Sequence, residues 1–336
     1  MKVHKNRLPI DSVVKYGLQT MHNILTIVDR TTQTIIREGI EDVGVNLDEV
    51  GTDKLDNITR EIDEIAERSA HEKLMEAFLN TPHQRSLEVW GEERLGKKQN
   101  QAVSFAASEK TIALLDMVDG TDLVNRGLGN WCSAMVFFFP PTREILAAIV
   151  GNSNREYFVA RGDKEPPFKL VLKTDAQKLK AISLENSVEL KIKRVPASLK
   201  ECAVCFYGQK ANHLLSIAGA KFPQYKDTIG TSPFIDYLGR THVSSPPFRI
   251  YTLAGNPMLA KVADGKIHAV FELLGQKAHD VVPGAFIAKC AGAIVKDLDG
   301  NDLDLAGALL NPNKPLRYIV AANEAIYNEL RSELLS

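Results

Sequence analysis

Along the first eighty residues, apolar positions return every three or four places. Val13, Val14, Tyr16, Gly17, Met21, Ile24, Leu25, Ile27 and Val28 fall at helical spacing, so the pattern predicts an amphipathic helix over residues 12–37. Residues 39–51 interrupt the pattern. Asp56-Asn57-Ile58-Thr59 can cap a second helix running to about residue 79, with Ile62, Ile65, Ala66, Leu74, Ala77 and Phe78 on its inner face. The pattern then changes to short apolar runs. Residues 87–90, 111–115, 131–139, 144–150, 157–160 and 168–172 read as strands. Residues 94–102 form a basic, polar loop without the spacing of a nucleotide-binding P-loop.

The second half alternates. A strand over 202–207 precedes a helix over 211–220. A stretch at 248–255 leads into a helix over 257–263, and a strand follows over 267–272. A helix over 282–291 stops at Gly292, a strand covers 293–296, and Asp299-Gly300 reads as a tight hairpin turn. A strand over 318–322 and a helix over 324–335 complete the pattern. This alternation predicts layered α/β structure. Residues 159–181 carry Gly162, Pro166 and Pro167 and no periodicity, so two halves, 1–165 and 166–336, are expected within one integrated unit.

Composition narrows the function. The 336 residues are 44% hydrophobic and 25% charged, as in ordinary globular chains, with a net charge of −1. Such a balance offers no field for nucleic acid or an anionic membrane. No apolar run approaches the ~20 residues needed to cross a bilayer. The basic start, Met1 to Arg7, is not followed by an apolar stretch of signal-peptide type. Of the four cysteines, Cys202 and Cys205 have redox or zinc spacing, but they sit in an apolar run with no second pair and read as buried strand residues. A reducing, cytoplasmic setting is the expectation.

The chemistry concentrates at Asp116-Met117-Val118-Asp119-Gly120-Thr121, directly after an apolar strand. Two carboxylates this close repel each other unless a cation lies between them, and oxygen ligands suit a hard cation such as Mg²⁺. Gly120 can adopt angles that turn the amides of Gly120 and Thr121 toward an anion. An acidic turn capping the next helix satisfies the same spacing. Two further stretches bear on the choice: Trp90-Gly91-Glu92-Glu93 upstream, and His279-Asp280-Val281-Val282-Pro283-Gly284 downstream, with Gly292 twelve positions after Asp280.

Taken in order, the three stretches resemble the signature of the inositol monophosphatase and fructose-1,6-bisphosphatase superfamily of Mg²⁺-dependent, often lithium-sensitive phosphatases. The resemblance runs from about residue 58 to 300. It implies an inositol monophosphatase-like α/β/α/β/α sandwich and hydrolysis of a small phosphorylated polyol or sugar, of inositol monophosphate or fructose 1,6-bisphosphate type, by metal-activated water. It further implies two or three Mg²⁺ ions and a homodimer. Glu92, Asp116 and the Val118 carbonyl would hold the first ion, and Asp116, Asp119 and Asp280 the second. Glu92 and Thr121 would orient the attacking water, and the amides of Gly120 and Thr121 would take the phosphate. Asp63, in competition with Glu61 and Glu64, matches an acid that supports the threonine. Glu272, Gly255 and Asn256 fall where the family contacts substrate.

The chain departs from that pattern around the ligands. Met117 stands where the family has proline, His279 where it has tryptophan, Val282-Pro283 where it has small residues, and Ala293 where it has a second glycine. These departures put the substrate in doubt more than the reaction. A 3′-phosphonucleotide phosphatase, or a non-catalytic phosphometabolite-binding protein on the same fold, are the alternatives.

Overall fold

Two long helices cover one face of a seven-stranded sheet. The computed structural model describes residues 5–38, 54–79, 81–96, 103–125, 129–172, 184–193, 195–207, 249–253 and 255–335. The expected helix at 211–220 and the break at 39–51 lie outside these residues.

Helix α1 (Ile10–Glu38) buries Val13, Val14, Leu18, Met21, Ile24, Leu25 and Val28. Helix α2 (Lys54–Leu79) buries Ile62, Ala66, Ala70, Leu74 and Phe78. That strict four-residue step leaves no room on the stripe for Ile65, which is exposed, contrary to the expectation from sequence.

The first sheet is built from β1 (Leu87–Gly91), β2 (Thr111–Asp119), β3 (Cys132–Phe139), β4 (Glu144–Asn152), β5 (Glu156–Ala160), β6 (Phe168–Val171) and β7 (Val188–Glu189), in that spatial order. Only β1 and β2 pair in parallel. The first sheet therefore continues past residue 165, to Glu189. Two short helices interrupt the first half: α3 (Glu92–Gly96), directly after β1, and α4 (Thr121–Asn125), directly after β2. Arg94, expected in a solvated loop, lies in α3. Its guanidinium sits 4.1 Å from the Trp90 ring centre and donates to the Val89 carbonyl.

The second sheet has the order β11-β12-β10-β8-β9. Its strands are β8 (Ala203–Phe206), β9 (Arg249–Tyr251), β10 (Ala269–Gln276), β11 (Ile294–Lys296) and β12 (Leu316–Ala321). Helices α5 (Asn256–Ala263) and α6 (Ala278–Cys290) pack between the two sheets. Helix α7 (Leu305–Leu310) borders that layer, and α8 (Glu324–Leu335) closes the outer face of the second sheet. Three apolar clusters follow. One joins α1 and α2 to the first sheet, one joins the first sheet to α5, α6 and the second sheet, and one joins the second sheet to α8. The order of layers is thus α/β/α/β/α.

Strand β2 is buried along almost its whole length, so alternate residues feed different cores. Ala113, Leu115 and Met117 face α1 and α2, whereas Ile112 and Leu114 face the α5–α6 layer. By the same alternation Asp116 points toward α6.

Candidate functional site

Asp119 lies an odd number of residues beyond Asp116, so a regular strand would send its side chain to the opposite face. The pairing with β3 prevents this. Asp116 is opposite Ala134 and Asp119 is opposite Cys132, three steps on one strand against two on the other. The extra residue is a β-bulge, and it returns Asp119 to the face that Asp116 uses. Within the bulge the Val118 N–H donates to Asp116 Oδ1 at 3.3 Å, and Ser133 Oγ donates to the Met117 carbonyl at 2.6 Å. Met117 itself packs in the α1–α2 core.

The turn after β2 carries Gly120 at φ 96° and then enters α4 at Thr121. Thr121 Oγ1 lies 3.0 Å from both carboxylate oxygens of Asp63 on α2 and 2.9 Å from the Val118 carbonyl. One hydroxyl has one proton to donate, so three acceptors compete for it and the oxygen's lone pairs stay open. Asp63, one of the acids of this helix weighed from sequence, is hydrogen-bonded to Thr121. Glu67, one turn further along α2, was not anticipated. Its carboxylate covers Gly91, where any side chain would collide with it.

The third stretch is placed by a splice between helices. Pro283 lies inside α6 and has no N–H, so the His279 carbonyl one turn earlier lacks its helical donor. Asn256, at the start of α5, supplies it: Nδ2 donates to that carbonyl at 2.8 Å. Asn256 Oδ1 in turn accepts from the Gly284 N–H at 3.0 Å. A Cβ at position 284 would lie 2.8 Å from the Asn256 carbonyl oxygen, so the two helices can meet this closely only with glycine there. The Asn256 backbone N–H donates to Asp119 Oδ2 at 2.8 Å. One fully buried asparagine thus ties Asp119 to the helix that carries His279 and Asp280. Gly255, at φ 82°, serves the same approach: a Cβ there would lie 2.7 Å from Asp119 Oδ2.

Asp280 sits in the first turn of α6, three residues after Lys277, and its Oδ2 accepts from the Lys277 N–H at 2.9 Å. His279 is wholly buried beside it. Its Nε2 lies 3.4 Å from Asp280 Oδ1 and 3.6 Å from Glu92 Oε1 on α3. Glu272 is also buried, and its Oε1 accepts from the N–H groups of Leu274 and Gly275 at the irregular end of β10. Asn256 and Glu272, expected on the wall of a substrate pocket, are therefore inside the protein and engaged with backbone.

The electrostatics of this convergence are adverse without a cation. Burial, then the charges of Asp119, Glu92, Asp280 and Asp63, hold Asp116 well above the usual carboxylate range. Burial and the charge of Asp280 raise Asp119 against the opposing hydrogen bond from Asn256. Burial raises Asp280, and Glu92 adds to it, against the opposing pull of His279. Acids drawn from β2, α3 and α6 that mutually suppress ionisation are a donor set suited to divalent cations. Cys202 and Cys205 lie in the core around β8, where burial pushes both thiols up to about 12, so neither is poised for thiolate chemistry.

No protein-family model and no curated relative matches the chain. Solved structures do. An inositol monophosphatase from Thermotoga maritima shares 15% identity with a TM-score of 0.57, covering 93% of this chain and 94% of its own. The extragenic suppressor protein SuhB from Bartonella henselae shares 15% at 0.56, covering 94% and 98%. Inositol monophosphatase-II from Staphylococcus aureus shares 15% at 0.56, covering 95% and 92%. The same staphylococcal enzyme is described with bound inositol monophosphate and with bound 2′AMP.

Proposed function

We propose that this chain, which has the inositol monophosphatase fold, is a divalent-cation-dependent phosphomonoesterase acting on a small phosphorylated polyol or sugar. The observation that carries the reading is the convergence of Glu92, Asp116, Asp119 and Asp280 beside the hydrogen-bonded Thr121–Asp63 pair. Glu92, Asp116, Asp119, Asp280 and the Val118 carbonyl would hold the cations. Bound there, cations would supply charge neutralisation at the phosphate, acidification of a water and stabilisation of the leaving alkoxide.

The chain's own groups divide the remaining work. Asp63 draws the Thr121 proton, so Thr121 Oγ1 offers lone pairs to an attacking water's hydrogen. Glu92, on a short helix at the edge of the cluster, is the second acceptor for that water. The backbone amides of Gly120 and Thr121, at the turn, take the phosphate oxygens. Asn256 keeps Asp119 and the first turn of α6 in register.

The reading is tested by steady-state kinetics on a phosphate monoester. Thr121→Ala and Glu92→Gln are expected to lower kcat about 100-fold or more with little change in KM. Unchanged kcat in both would remove the assigned roles. Homodimerisation and lithium inhibition are proposals of the same reading, checked by light scattering and by LiCl titration. The alternative of a binding protein on the same fold draws on Met117 and His279, yet a binder has no use for the Thr121–Asp63 pair.

A further inference from the structure

We propose that His279 is a nitrogen ligand of the cation site, completing a Glu92–His279–Asp280 centre that favours a borderline cation such as Zn²⁺, Co²⁺ or Mn²⁺ over Mg²⁺. Among the described residues, these three form the group of candidate donors whose ligand atoms all lie within 4.8 Å of one another. The assignment rests on the cation-binding half of the reading above and not on the reaction.

Four observations carry it. His279 is completely buried, and among the described residues neither ring nitrogen makes a hydrogen bond of good geometry. Buried imidazoles normally satisfy at least one nitrogen, so this ring is set to bind something else. Its Nε2 stands 3.4 Å from Asp280 Oδ1 and 3.6 Å from Glu92 Oε1. Those separations are long for hydrogen bonds. They match ligand-to-ligand edges around a four-coordinate cation, which are about 3.3 Å for bonds of about 2.0 Å.

The donors are also held from behind. The Lys277 N–H occupies Asp280 Oδ2, leaving Oδ1, the atom facing His279, for the cation. The Asn256 side chain anchors the His279 carbonyl, which fixes the backbone from which the ring projects. Such outer contacts orient ligands in metal sites. Finally, the donor chemistry is mixed. One imidazole and two carboxylates suit Zn²⁺ and its neighbours, whereas Mg²⁺ prefers oxygen alone.

The test uses the full chain, stripped with chelator. Pulsed electron paramagnetic resonance on protein with one equivalent of Mn²⁺ should show a directly bound nitrogen, absent in His279→Gln and His279→Phe. Calorimetric titration should show Zn²⁺ and Co²⁺ affinity falling at least about tenfold in both variants, with Mg²⁺ affinity changing less than about threefold. The spectrum of the unmodified protein stands even if both variants fail to fold. Mn²⁺ bound without nitrogen coupling would overturn the assignment, leaving His279 a buried counter-charge and the cation site intact. Failure to bind any divalent cation would overturn both the assignment and the cation site.

Discussion

At the residue scale, Asp116 is a carboxylate whose charge is opposed by burial and by neighbouring acids. It is buried on β2, accepts a 3.3 Å bond from the Val118 N–H within the bulge, and feels the charges of four other acids. Replacing it by asparagine keeps an acceptor for that bond and removes the charge. We therefore expect Asp116→Asn to raise the stability of metal-free protein by about 1–2 kcal/mol while abolishing divalent-cation binding. Chemical denaturation in chelator, with and without added Mg²⁺, checks both halves. Asn256 makes a different demand. Removing its side chain leaves the His279 carbonyl and the Gly284 N–H buried without it, a cost of about 2–4 kcal/mol. In Pro283→Ala the new N–H can serve that carbonyl. The double-mutant cycle of Asn256→Ala with Pro283→Ala should show a coupling of about 1 kcal/mol in the compensating direction; strict additivity would deny the splice. The motif acids were legible because each lies in a short contiguous pattern. The Asn256 splice was not, because its parts are 28 residues apart in Asn256 and Gly284 and depend on a missing N–H at Pro283.

At the element scale, α5 is held to the first sheet by an ion network in which Glu156, Lys261, Lys169 and Asp264 are mostly buried and Lys266 is half-exposed. Glu156 on β5 pairs with Lys261 of α5 and lies 3.4 Å from Lys266 Nζ, while Lys169 on β6 binds Asp264 at the end of α5 at 2.8 Å. Burial works against the Glu156 charge, but hydrogen bonds from Lys261 and Asn152 and the nearby lysines bring its pKa down to about 2. A carboxylate lowered on folding contributes stability that is complete above its unfolded pKa, about 4.3, and is lost as pH falls through the folded value. Unfolding free energy measured from pH 5.5 to pH 2 should therefore drop by an increment of about 2–3 kcal/mol that Glu156→Gln removes. The long elements were readable from periodicity: α1, the two apolar strands β3 and β4, and α8 fall where the pattern placed them. Helix α6 begins earlier than its apolar run, at Ala278, because Lys277 and Asp280 close its first turn. Several short elements left no periodic trace, among them α3, β7 and α7. Strand β7 has two exposed residues and α7 has six residues, too few to repeat a pattern. The bulge in β2 was equally silent, since strand alternation assumes regular pairing.

At the scale of the whole molecule, the site gathers groups from α2, α3, β2 and α6, so a bound cation links the layer above the first sheet to the layer below it. A ligand held only by the folded state stabilises by mass action, about 2.7 kcal/mol at a hundredfold excess over Kd. Thermal melts should thus shift upward by several degrees with divalent cation and return with chelator; coincident melts would argue against a preformed site. No helix among the described residues is long and apolar enough to cross a membrane.

The most direct test of the central claim is phosphate release from inositol phosphates, sugar bisphosphates and 3′-phosphonucleotides, with Mg²⁺, Mn²⁺ or Zn²⁺ and then with excess chelator. Release from one substrate class that chelator and Asp116→Asn both abolish is the predicted result. Release that survives either would contradict the site, and silence across the panel with cation binding intact would contradict the reaction.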